Sequence, residues 1–193
     1  MAGIGTRKGE TKDNGQSTRE KVETEGITIR LDKRVLRRLR HEAKEKKIST
    51  NVLISQIFSE HLEWHSTAAR AGFVAVRRGT ILKLLENTSE EEIATIAKFI
   101  GTRESKDFVL LLRHEYSLSS AMDVIETWIR ISGYSYDHEV RQGMHSLVIH
   151  HDMGKKWSIY LSEIYKSVFE EFGQTGATFT FTDNTVHIRY DAT

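Results

Sequence analysis

Between Arg30 and Lys47 the chain carries nine Lys or Arg residues against only Asp32, Glu42 and Glu45. The formal net charge of the whole chain is +1, so the remainder is net acidic and the positive charge is segregated into one short stretch. A local patch of this kind is an electrostatic footprint for phosphate. A second group of chemically capable residues lies toward the C-terminus: His114, His138, His145, His150, His151 and His187. Alternation places His145 and His151 on one strand face with Leu147 and Ile149, and turns His150 the other way. This marks His145 and His151, with Asp152 nearby, as the candidates for a metal or ligand site. They form no tight helical ligand motif, and isolated histidines beside apolar strands more often serve as hydrogen-bonded structural residues. A third stretch is "HHDMGKKWS", His150 to Ser158. There a strand runs through Gly154 into a helix whose first amides could hold an anion, with Lys155 and Lys156 adding charge. The plainer reading is a tight connection with Trp157 in the core.

Other chemistries are excluded or unsupported. With no cysteine there is no disulfide, thiolate metal site or thiol nucleophile, a composition that suits a reducing compartment. G-x-S-x-G, H-E-x-x-H and phosphate-loop patterns are absent, and no paired carboxylates have an obvious partner. The expectation is a non-enzyme without a cofactor. No apolar run reaches the roughly 18 residues needed to span a bilayer, and the N-terminal stretch lacks the apolar segment of a signal peptide. The expected setting is cytoplasmic, with no membrane partner.

The elements that must position these residues follow from periodicity. Residues 1–25 are polar, Gly-rich and charged, and are expected to form a disordered tail. Ile27, Ile29 and Leu31 alternate with Thr28 and Arg30, which predicts a short strand with one apolar face. A single strand cannot satisfy its own backbone, so it needs a partner. Asp32 is the expected N-cap of a helix in which Val35, Leu36, Leu39 and Ala43 recur at helical spacing. "STN", Ser49 to Asn51, is expected to open a second helix. Val52, Leu53, Ile54, Ile57, Phe58, Leu62 and Trp64 make that helix too apolar to stand alone.

From Ser66 to Glu104 the chain reads as mostly helical, with a capping box at Ser89 and Glu92 and a natural stop at Gly101. "DFVLLLRHEY" fits either a buried strand or a helix. A helix follows, capped by Ser119 or Ser120 and stopped by Gly133. Next come two strands turning at Gly143, an amphipathic helix from Lys155, and a hairpin centred on Asp183-Asn184. The order reads as a split βαβ, ferredoxin-like α/β sandwich. The expected class is α+β, with boundaries at 26–65, 66–104 and 105–193.

The run "ITIRLDKRVLRRLRHEAKEKKISTNVLISQIF" resembles a ribbon-helix-helix domain of the Arc, MetJ and CopG type, over residues 26–64. The resemblance implies an intertwined homodimer in which each chain gives one strand to an antiparallel ribbon, and that ribbon enters the major groove of double-stranded DNA. It implies that Thr28 and Arg30 read bases, Arg30 being suited to guanine O6 and N7; Gly26 adds no third side chain to that face. It implies that the second helix start, with Ser49, Thr50 and Asn51, grips a phosphate, and that Lys33, Arg34 and Arg37 position the protein. Ile27, Ile29, Leu31, Leu53 and Ile57 are then the dimer core. The implied function is a transcriptional regulator of the repressor kind, with residues 105–193 as a regulatory or oligomerisation module open to a small ligand or a higher oligomer. A ribbon-helix-helix followed by a split βαβ is similar to the plan of nickel-responsive regulators, which makes a metal- or ligand-responsive repressor one alternative. An antitoxin of a toxin-antitoxin pair is the other, although such antitoxins generally continue into a flexible tail.

Overall fold

A computed structural model describes residues 25–191 of the chain. The tail expected over residues 1–25 therefore lies outside the described residues, except for Glu25. The N-terminal part is helical. Helix α1 (Lys33–Glu45) begins at Asp32, whose carboxylate accepts from the Arg34 amide at 2.7 Å. Helix α2 (Thr50–Glu60) begins at Ser49, whose hydroxyl accepts from the Val52 amide at 3.1 Å. Both caps stand where the sequence puts them. Helix α2 passes into a π-helical turn (His61–His65) and a short α3 (Ser66–Ala68).

Helices α4 (Arg78–Glu86), α5 (Glu90–Arg103), α6 (Ser105–Arg113) and α7 (Leu118–Ile131) lead into an antiparallel sheet. Its strands β1 (Ser135–Arg141) and β2 (Met144–His150) are followed by α8 (Lys155–Glu171), β3 (Thr178–Phe181) and β4 (Thr185–Asp191). The strand order is β1-β2-β4-β3, and every adjacent pair is antiparallel. The turn between β1 and β2 holds Gln142 and Gly143 at φ 52 and 81, as a twisted two-residue hairpin requires.

One face of the sheet carries the main core. Leu147 and Ile149 of β2 and Val186 and Ile188 of β4 meet Met122, Ile125 and Ile129 of α7. Trp157, Leu161, Tyr165 and Phe169 recur every fourth residue along α8 and close the same layer. A smaller cluster of Val109, Ala121, Val124 and Val168 joins α6, α7 and α8.

The mixed α+β class holds, and three finer expectations are corrected. The full ferredoxin-like order is not formed, because "DFVLLLRHEY" supplies α6 rather than a first strand; a split βαβ is present, with β2 and β3 parallel, joined by α8, and β4 antiparallel between them. Val109 is buried with Phe108 and Leu112 beside it while Leu110 stays exposed, which is the spacing of a helix rather than a strand. Gly101 does not stop its helix. It lies inside α5, where a Cβ would meet Ser167 Cβ at 2.7 Å and Ile164 O at 2.8 Å, so it lets two backbones approach. The cap of α7 is Ser117, whose hydroxyl accepts from Ser120 at 3.2 Å; Ser119 and Ser120 lie within the first turn. The Ser89–Glu92 capping box is present.

Candidate nucleic-acid interface

The basic stretch is presented on α1. Helical spacing puts Lys33, Arg37, Arg40 and Lys44 on one stripe, with Arg34 and Arg38 flanking it. Only Ala43 of this helix is fully buried, and Leu36 and Leu39 are half-buried on the adjoining side. Arg34 pairs with Asp32 at 3.6 Å and Lys46 with Glu42 at 2.8 Å. Among the described residues, Lys33, Arg37, Arg38, Arg40, Lys44 and Lys47 make no ion pair. Their charge stands in solvent and is available to a polyanion.

A tight turn joins this helix to the next. The Ile48 amide donates to Ala43 O at 3.0 Å and the Lys47 amide to Lys44 O at 3.1 Å, the paired bonds of a Schellman ending. That ending needs a left-handed residue, and Lys47 takes it at φ 54 although glycine is the usual occupant. Ser49, half-buried Thr50 and exposed Asn51 then form the start of α2. First-turn amides have no acceptor within their own helix, so an anion is welcome there beside the α1 stripe.

The segment carrying Thr28 and Arg30 lies exposed before Asp32, without regular secondary structure. The strand expected over residues 27–31 is thus not formed among the described residues. Ile27 is 80 % exposed, and Ile29 and Leu31 are partly exposed. Val35, Val52, Ile57, Phe58 and Leu62 add to this apolar surface. Leu53 is different: its own chain covers it completely.

Helix α2 is anchored below this surface. Trp64, in the π-helical turn, is buried edge-on against Phe73 at 5.2 Å and Phe108 at 5.3 Å. Glu63 also pairs with Arg130 of α7 at 3.1 Å.

The histidines are not gathered. His151 is buried, and its Nδ1 accepts from the Met153 amide at 3.1 Å. Its Nε2 then carries the proton and donates to Ser158 Oγ at 2.8 Å, and Ser158 donates on to Asp183 O at 3.3 Å. Both ring nitrogens are thus used within the core, and burial pushes its pKa down to about 4. His145 belongs to another set. It bonds His138 at 2.9 Å and stacks on Tyr190, and His138 meets Glu126 at 2.7 Å. The expected His145–His151 pair does share a face, but each is engaged separately, and among the described residues no group of His, Asp and Glu is arranged to hold a metal. Sequence reasoning missed the Glu126–His138–His145 chain, because Glu126 comes from α7. The anion reading of "HHDMGKKWS" also gives way: Lys155 pairs with Glu90 at 2.9 Å, and Lys156 donates to Leu85 O at 2.7 Å at the end of α4. Trp157 packs in the core as expected.

Among the described residues no helix is long and apolar enough to cross a membrane. Comparison of the chain with protein-family models and with curated proteins found no match.

Proposed function

We propose that this chain is a dimeric, sequence-specific DNA-binding regulator of transcription, built on a ribbon-helix-helix unit over residues 26–64. The observation that carries the reading is a juxtaposition: an exposed segment of alternating apolar and polar residues, without a hydrogen-bonded ladder in its own chain, stands directly before an unneutralised basic helix and a serine-capped helix start. Two copies pairing through residues 27–31 satisfy the orphan backbone and cover Ile27, Ile29 and Leu31. The other face of that ribbon carries Thr28 and Arg30 from each chain into the major groove, where Arg30 suits guanine. Lys33, Arg34 and Arg37 hold the flanking phosphates, and the α2 start with Ser49, Thr50 and Asn51 receives one more. Exposed Ile57, together with Val52 and Phe58, extends the dimer core beyond the ribbon; Leu53 supports α2 from beneath.

The test is selection of DNA sequences by the full chain, followed by sedimentation of the protein alone. The reading requires an enriched motif with two-fold symmetry and a dimer. Retention of DNA with no enriched motif, or a monomer at micromolar concentration, contradicts it.

A further inference from the structure

A cleft of about 490 Å³, open to solvent, lies between α5, α6, α7 and α8, bordered on one side by the connector Ala71–Val74. Small-molecule sites span ~300–1,000 Å³. The walls are mainly apolar and aromatic, Phe108, Val124, Trp128 and Leu161 among them. Tyr165 lines the cavity, is 4 % exposed, and its hydroxyl is buried without a hydrogen-bond partner. Trp157 Nε1, also on the lining, is buried without a bond of normal geometry, although it is close enough to polarise the Tyr134 hydroxyl. A buried donor left unpaired costs about 1–3 kcal/mol, so folds rarely keep one without a partner to come.

We propose that this cavity is the binding site of a neutral, mostly apolar ring compound that offers a carbonyl or similar acceptor to the Tyr165 hydroxyl. The polarity of the lining sets that class. The rings match the aromatic walls and the acceptor matches the buried hydroxyl. The Glu104 carboxylate on the same lining disfavours an anion. An aliphatic side chain from a partner protein would leave Tyr165 unsatisfied.

The site is also placed to act on the N-terminal helices. Phe73 and Phe108 line the cavity, stack on one another at 4.5 Å, and both pack on Trp64. Trp64 stands in the π-helical continuation of α2, and such turns recur at functional positions. Resting on the DNA-binding reading above, occupation of the cavity alters DNA affinity by repacking Phe73 and Phe108 against Trp64. The ligand is an effector, and the coupling is reciprocal.

The experiment titrates the full chain with prodan, a neutral naphthalene ketone whose emission shifts when its carbonyl accepts a hydrogen bond. Saturable binding at one site per chain is expected. Tyr165→Phe keeps the ring and removes the donor, so it weakens binding by about fivefold and moves bound emission to the blue. Ile100→Trp adds bulk at a half-buried lining position and abolishes binding. Absence of saturable binding, or unchanged binding and emission in both variants, overturns the site. Saturating prodan is further expected to change affinity for a selected DNA fragment by about fivefold or more. Unchanged DNA affinity overturns the coupling alone. A chain that ignores DNA altogether sinks the DNA-binding reading and the coupling, while the titration still decides the cavity.

Discussion

Trp64 and Phe108 meet edge-on at 5.3 Å, and through that contact the helix that starts at Ser49 is fastened to the sheet-bearing body. Trp64 is buried, with Phe73 on its other side. Trp64→Ala removes both aromatic contacts and is expected to cost about 3–5 kcal/mol in urea unfolding. A loss below ~1 kcal/mol would show that the N-terminal helices do not depend on this junction.

Lys47 separates stability from function. It holds a left-handed conformation that costs a lysine more than a glycine, and its ammonium is unpaired among the described residues. Lys47→Gly is expected to raise stability by about 0.5–1 kcal/mol. If Lys47 meets phosphate, the same change lowers DNA affinity and reduces the salt slope by about 0.9. Chemical denaturation and a salt titration of binding read the two effects independently.

Gly101 tests the close crossing of α5 and α8. A methyl group there meets Ser167 and the backbone of Ile164, so the helices must part. Better helix propensity offsets little of that. Gly101→Ala is expected to lower stability by about 1–3 kcal/mol, measured by thermal and urea unfolding; a gain in stability would mean that the two helices separate freely.

His151 gives the fold a pH dependence of known sign. Its folded pKa is depressed to about 4 from 6.5, by burial first, with Asp152 opposing. In that window the unfolded chain binds the extra proton, so stability is complete above about pH 6.5 and falls as the pH drops toward 4. The loss is on the order of 3 kcal/mol. Urea unfolding at several pH values, with the His151 ring followed by NMR, measures it. A ring that titrates near 6.5 would remove this contribution.

Local chemistry was legible in the sequence wherever one residue decides the structure. Asp32 and Ser49 announce their helices because a short oxygen-bearing side chain satisfies an orphan amide. The Gln142-Gly143 and Asp183-Asn184 turns were equally plain. What stayed hidden depends on packing between distant segments. Gly101 looks like a helix stop until α8 is seen against it, and α6 reads equally as a strand or a helix because Leu110, Leu111 and Leu112 blur its period. The same holds for the sites. The basic stripe could be read from residues 30–47 alone. The cavity could not, since its walls come from four helices and a connector, and Tyr165 resembles any other residue on an amphipathic stripe.

On the proposed reading, Arg30 reads bases from a two-chain ribbon while Lys33 only holds phosphate. The most direct measurement compares Arg30→Ala and Lys33→Ala for binding to a selected DNA motif and to a scrambled duplex at fixed salt. Arg30→Ala should lose about 1–3 kcal/mol of discrimination between the two duplexes, whereas Lys33→Ala should weaken both alike and flatten the salt dependence. Unchanged affinity and unchanged preference in Arg30→Ala would contradict the account.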